Sequence, residues 1–276
     1  MKHNRRSFFR NPIAITALLI LVAIILFCFI YPLISSFEYW QITGDRLQPP
    51  SPEHPLGTDK LGRDFMTRIA FGGRITLSVA FFSGLIAAIV GTAIGILCGY
   101  VGGSTDSVVM RLIDALSSVP SLLLAIVLDY MLGMGRGYFL YGIAIAGIPP
   151  FARLVRSATL QISGSAYIES SRALGARPLC VIREHVVRNV LPLAAIQVTT
   201  SMADALTICT ILGYIGVGIN PPTPEWGALF DSGKELLRTS SHLAIIPAAA
   251  IILCIICLYL LGNGIRDSLS SSGGDV

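Results

Sequence analysis

The sequence predicts an all-α membrane protein of six spans, with both termini in the cytoplasm. Three observations carry this. The 276 residues are 53% hydrophobic and only 13% charged, with a mean hydropathy of +0.72; soluble domains carry roughly a quarter charged residues. Apolar runs of spanning length recur along the whole chain, and about 20 apolar residues cross a bilayer as a helix. Finally, twelve of the 20 Lys and Arg fall on the sides that this threading makes cytoplasmic, as the positive-inside rule requires.

Each element follows in turn. Lys2, Arg5, Arg6 and Arg10 precede an apolar run from Pro12 to Ile34, the first span. The run is too long for a signal h-region, and no small-x-small cleavage site follows it. Residues 35–72 are polar and Pro-rich and are placed outside. The second span covers Leu77 to Tyr100. Gly84, Ala88, Gly91, Gly95 and Gly99 recur on one face of it, where a second backbone can approach closely. VGGSTDS makes a cytoplasmic turn into a third span, Val108 to Leu132, interrupted at Pro120. GMGRG is a short external turn. The fourth span runs from Tyr138 to Val155, broken or kinked at Pro149-Pro150. Val190 to Gly216 is the fifth span, residues 218–241 are external, Leu243 to Gly262 is the sixth span, and the remainder is a cytoplasmic tail. The acidic residues Glu38, Asp45, Glu53, Asp59, Asp64, Glu225, Asp231 and Glu235 gather outside.

Between spans four and five lies YIESSRALGARPLCVIREHVVRNVLP, residues 167–192, with four arginines and two glutamates. Such charge costs several kcal/mol per residue at bilayer depth, so the segment lies in water, on the cytoplasmic side. A helix over Tyr167 to Leu174 puts Tyr167, Ser170, Ser171 and Leu174 on one side. Gly175 then ends it, and Pro178 prevents its simple continuation. A short helix of this kind can seat in a groove of a cytoplasmic partner; a solvated loop with ordinary positive-inside arginines is the plainer alternative.

Catalytic chemistry finds no support. There is no HExxH and no strand-borne GxSxG. The four His fall in four separate segments. GTDKLGRD at 57–64 imitates a phosphate loop, but Arg63 and Asp64 stand where Lys and a hydroxyl belong. No basic stripe with interleaved aromatics suggests nucleic acid. Of the six cysteines only Cys180 lies outside an apolar span, so no disulfide framework is expected. Cys254 and Cys257 form a CxxC on a membrane helix, read as packing. No metal or cofactor is expected in this chain. Among carboxylates in or near spans, Asp114 has Arg111 three residues away, which suggests a local pair; Asp129 is placed at the external interface. Asp204 has no local partner and is the candidate for a substrate pathway. Thr58, Asp59, Glu225 and Trp226, in the external segments, are candidates for contact with an extracytoplasmic protein, or else stiff caps on the helices.

Residues 167–192 resemble the EAA loop of binding-protein-dependent ABC importers, a pattern of E-A-A, then Gly, then a hydrophobic-LP stretch. Glu169, Ala173-Leu174-Gly175, His185, Asn189 and Leu191-Pro192 fall on the family positions. Ser170-Ser171 replace the paired alanines, and Arg188 stands where a proline usually precedes the Asn. HPLGTDKLGRDFMTRIAFGGRITL (54–77), residues 101–125, GVGINPPTPEWG (216–227) and GNGIRDSL (262–269) are similar to the corresponding blocks of peptide and nickel permeases, with Asn263 where Asp is common. The likeness covers residues 1–270 and is to the second, C-type permease.

The resemblance implies a type I ABC importer permease fold in the bacterial cytoplasmic membrane. It divides the chain into residues 1–72 (tail, first span and external segment), a permease domain at 73–270 and a tail at 271–276. It implies a homologous B-type permease as partner, two cytoplasmic ATPases that bind ATP and Mg, and an extracytoplasmic binding protein. Tyr167, Glu169, Ser170, Ser171, Arg172, Ala173, Leu174 and Gly175 then form the ATPase-coupling helix. Di- or oligopeptides are the implied cargo, with nickel or a metal chelate as rival. A regulatory or anchoring subunit without transport is the alternative of another class.

Overall fold

The computed structural model describes residues 11–132 and 139–270. The N-terminal basic cluster, the GMGRG turn, Tyr138 and residues 271–276 lie outside the described residues. Among those described the chain is helical and has no strands; its β pairing is confined to the isolated bridges Ile42–Arg63 and Thr58–Asp64. Five helices are long and apolar enough to cross a membrane, and six if one bent pair counts as a single span.

Helix α1 is Pro12–Ile34. Asn11 caps it: Oδ1 accepts from the amides of Ile13 and Ala14 at 3.1 and 3.3 Å, and Pro12 is pre-set for the first turn. Only Ala14, Ala17, Leu21 and Cys28 of α1 are buried, so most of its apolar surface is left to face lipid.

Helix α2 is Phe65–Val101 and starts twelve residues before the expected Leu77. Asp64 sets the start, its Oδ2 accepting from Thr67 N and Oγ1 at 2.8 and 2.7 Å while Oδ1 meets His54 Nδ1 at 2.9 Å. The first turns look polar in sequence because they bury Thr67, Arg68 and Thr76 against the external segment rather than against lipid.

Helices α3 (Gly103–Ser118) and α4 (Ser121–Leu132) form the bent pair. The chain turns by 95° at Val119–Pro120. Val119 is extended (φ −90°, ψ 129°), as the residue before a proline prefers. The interruption expected at Pro120 is therefore a sharp break.

Helix α5 (Phe139–Ser163) runs unbroken through Pro149-Pro150, eight residues past the expected end at Val155. It packs along α2 through the expected small-residue face. A Cβ at Gly95 would lie 2.7 Å from Val155 Cβ, and one at Gly99 would lie 2.6 Å from Thr159 Cβ. Phe151 and the Ile148 carbonyl close on Gly91 in the same way. Gly84 differs from the rest of the stripe and faces Met202 of the next long helix.

That rod begins at Pro178, not Val190. It comprises α7 (Pro178–Val181), a π-helical turn (Ile182–Val187) and α8 (Arg188–Tyr214). Between α5 and α7 sits α6 (Ala166–Ala173). The external segment after α8 contains α9 (Trp226–Lys234), and α10 is His242–Ser270, which takes the expected tail through residue 270 into the helix. Helix content at these ends was hidden because an apolar window reads lipid contact, not hydrogen bonding. The main core joins α1, α2, α8, α9 and α10 around Cys28, Phe65, Leu206, Leu212, Trp226 and Cys254. Cys254 and Cys257 are free and buried in it.

Candidate functional site

At the end of the molecule that the charge pattern assigns to the cytoplasm, α6 closes as its composition dictates. Gly175 adopts φ +83°, its amide donating to Arg172 O at 3.0 Å, and Ala176 N donates to Ser171 O at 3.1 Å. Only glycine takes such a φ without steric cost. Arg177 is then extended and Pro178 opens α7. Within α6 only Ile168 is buried; it is an anchor that the sequence reading did not single out. Tyr167, Glu169, Ser170, Arg172, Ala173 and Leu174 are exposed, Ser171 is half-buried, and Leu174 reaches 90% exposure. A leucine so exposed, on a surface with Leu179 (78%) beside it in sequence, offers an apolar contact in water.

Two ring contacts tie α6 to the body. The Arg172 guanidinium lies 4.7 Å from the centroid of Tyr100, near the end of α2. Tyr167 packs edge-on to His185 of the π turn, with centroids 5.7 Å apart. The same end holds two ion pairs between α5 and α3. Arg156 grips Asp106 with Nε and a terminal nitrogen, both at 2.5 Å, and Arg153 meets Asp114 at 2.9 Å. The partner of Asp114 is thus Arg153 of α5 rather than Arg111, because α3 folds back across α5.

In the bilayer-depth region a cavity of about 330 Å³ lies among α2, α4, α5 and α8. Ser83, Ser121, Gln197, Ser201, Asp204 and Thr207 supply its polar wall, and Leu122, Ile143, Pro150 and Ile208 its apolar wall. Asp204 does line an opening, but it has a partner: Tyr259 of α10 donates to Oδ1 at 2.8 Å. Fifty-five residues separate the two, so local spacing could not reveal the bond. Asp129 lies three residues before the end of α4. It is fully buried, and neither carboxylate oxygen has a hydrogen-bond partner among the described residues.

The external candidates are built into the fold instead of presented on it. Thr58 is fully buried, donating to Asp45 O at 2.6 Å and accepting from Gln48 N at 2.9 Å. Asp59 accepts from the amides of Leu61 and Arg63 through Oδ1 and pairs with Arg63 and Arg68 at 2.7 and 3.2 Å through Oδ2. Trp226 donates from Nε1 to Ile69 O at 2.9 Å, and its ring covers Gly73, where a Cβ would collide with it. Glu225 is the N-cap of α9: its carboxylate accepts from Gly227 N and Ala228 N at 3.0 and 3.1 Å and from Thr76 Oγ1 at 3.0 Å. Burial pushes its carboxyl up to about 7, against the pull of those amides. These four residues therefore make the outer ends of α2, α8 and α9 one rigid unit. Their burial removes them as a docking surface for another protein, and no sequence signal marked this, because Glu is not one of the preferred N-cap residues. Among the described residues no group of three His, Cys, Asp or Glu comes together to hold a metal ion.

The family model for the inner membrane component of binding-protein-dependent transport systems matches residues 91–272. The chain belongs to this family. Residues 1–50 also match the N-terminal transmembrane domain of oligopeptide transport permease C. As a member of the family, the chain is a multi-pass inner-membrane permease subunit. It is 37% identical over 273 residues to the glutathione transport system permease protein GsiD of Pectobacterium atrosepticum, covering 96% of this chain and 88% of that one. It is 34% identical over 261 residues to the dipeptide transport system permease protein DppC of Alkalihalophilus pseudofirmus, covering 94% and 86%. An inward-facing structure of the MetNI methionine ABC transporter aligns with a TM-score of 0.58 at 20% identity, over 71% of this chain and 94% of that one. This places the permease in the type I importer fold.

Proposed function

We propose that the permease forms half of the substrate path of an ATP-driven importer of di- or oligopeptides. A homologous permease supplies the other half, two cytoplasmic ATPases drive it, and an extracytoplasmic binding protein delivers cargo. The observation that carries the reading is α6. It is a short, mostly exposed helix, held by Ile168 and Arg172 and ended by Gly175 at φ +83°. Such an element moves as a rigid piece with whatever grips it. In this reading Tyr167, Glu169, Ser170, Ser171, Arg172, Ala173, Leu174 and Gly175 seat on an ATPase. ATP binding, with its Mg, draws the ATPases together; α6 is carried along, and the pull reaches α2 through Arg172 and Tyr100 and α8 through the π turn. The cavity at Asp204 then exchanges access between the two sides. The relatives named for dipeptide and glutathione transport support a peptide cargo.

The test is reconstitution of the four-part importer with its binding protein in proteoliposomes. Dipeptide is expected to stimulate ATP hydrolysis and to accumulate inside. Stimulation by nickel chelates and not by peptides would transfer the assignment to metal uptake. Hydrolysis without accumulation of either would leave a regulatory or anchoring subunit.

A further inference from the structure

We infer that the cavity at Asp204 is a subsite for the primary ammonium group of the cargo, a step that rests on the cavity belonging to the transport path. Three observations on its wall agree. First, Asp204 is an exposed carboxylate at bilayer depth, and charge placed there is costly enough to mark a pathway or a counter-ion. Second, no Lys, Arg or His lines the cavity among the described residues, so the carboxylate has no cation of its own. The Tyr259 hydroxyl occupies Oδ1 at 2.8 Å and holds the carboxylate in place, while Oδ2 has no hydrogen bond among the described residues. Third, two of the four hydroxyls on the wall, those of Ser83 and Thr207, have spent their protons on helix carbonyls. Ser83 donates to Val79 O at 2.6 Å and Thr207 to Ala203 O at 2.9 Å. What they turn to the cavity is lone pairs. Ser121, Ser201 and the Gln197 amide add neutral groups that can donate or accept, so the full charge on the wall among the described residues is the one negative charge of Asp204. An ammonium group, which has three donors and no acceptor, matches it; a carboxylate does not.

The test uses the complete importer with Thr207→Cys as reporter, its native cysteines replaced by alanine. The thiol is treated with methanethiosulfonates bearing a trimethylammonium or a sulfonate. The cationic reagent is expected to react about fivefold faster or more, given a carboxylate a few ångström away. Asp204→Asn should abolish the preference and Asp204→Glu should keep it. Dialanine should protect the thiol, and N-acetyl-dialanine at equal concentration should not. A preference unchanged by Asp204→Asn overturns the inference, as it does if a cation of the partner permease already neutralises Asp204. Equal protection by the two peptides overturns it as well. A second measurement needs no cysteine background: uptake of dialanine should fall in Asp204→Asn and recover in Asp204→Glu, and uptake equal in Asn and Glu variants contradicts the inference. If the unaltered importer takes up no dipeptide while the Asp204-dependent preference persists, the peptide reading falls and the subsite stands for another amine.

Discussion

Glu225 shows most plainly what a single residue does here. It is buried, caps α9 and bonds Thr76 of α2, and its carboxyl sits near 7 rather than the usual 4.5. The folded state therefore holds its proton more tightly than the unfolded chain. Stability from this group is complete below pH 4.5, declines as pH rises from 4.5 to 7, and is flat above that. The total is on the order of 3 kcal/mol. Glu225→Gln keeps an acceptor for the amides and cannot titrate. Thermal melting in detergent should show the native protein losing ground to Glu225→Gln between pH 4.5 and 7; parallel curves would contradict this. The residue scale is also where the sequence said least. Asp114 and Asp204 were each read against their chain neighbours, and their partners, Arg153 and Tyr259, lie 39 and 55 residues away. Gly175 was legible because its role is local: a left-handed φ at a helix end needs nothing from the rest of the fold.

The elements make a simple mechanical train. Helix α6 rests on the C-terminal end of α2, and α2 is locked to α5 by Gly91, Gly95 and Gly99. Two substitutions test the train. Tyr100→Leu removes the cation–π contact, worth about 0.5–1 kcal/mol at an exposed site, and should lower peptide transported per ATP without loss of assembled complex, while Tyr100→Phe should restore it. An unchanged ratio in Tyr100→Leu would remove Tyr100 from the path. Gly95→Leu forces a side chain into Val155 and the Ala152 carbonyl and should destabilise the pair by about 1–3 kcal/mol, read as a lower melting temperature; an unaltered melt would show that the close approach is not needed. The number and order of long helices and the α6 break were legible, because apolar length and Gly or Pro punctuation are properties of short windows. The ends of α2, α5 and α10 were not. There the chain continues helically out of the apolar run: a local cap by Asp64 opens α2, and the Arg153 and Arg156 ion pairs to α3, which are tertiary contacts, hold α5. Pro149-Pro150 do not break the helix: a proline inside a membrane helix is tolerated where neighbouring helices support it, and α2 lies against this one.

At the scale of the whole molecule, a rigid outer end around Glu225 and Trp226 and a cytoplasmic end around α6 are joined by α2 and the α7–α8 rod. The reading requires that these ends face opposite sides of the membrane. Cys180, exposed beside α6, should be labelled by an impermeant maleimide only when the cytoplasmic side is open; labelling in sealed, outside-facing cells would invert the topology. The central claim is that α6 passes ATPase motion into the substrate path. It is tested most directly by the ratio of dipeptide accumulated to ATP hydrolysed in proteoliposomes holding the complete importer, native against Gly175→Pro. Proline fixes φ near −65° and cannot take the +83° found at Gly175. The account predicts normal insertion and continued hydrolysis, with the ratio down by about tenfold or more, within the range of allosteric couplings. A native ratio in Gly175→Pro would contradict it.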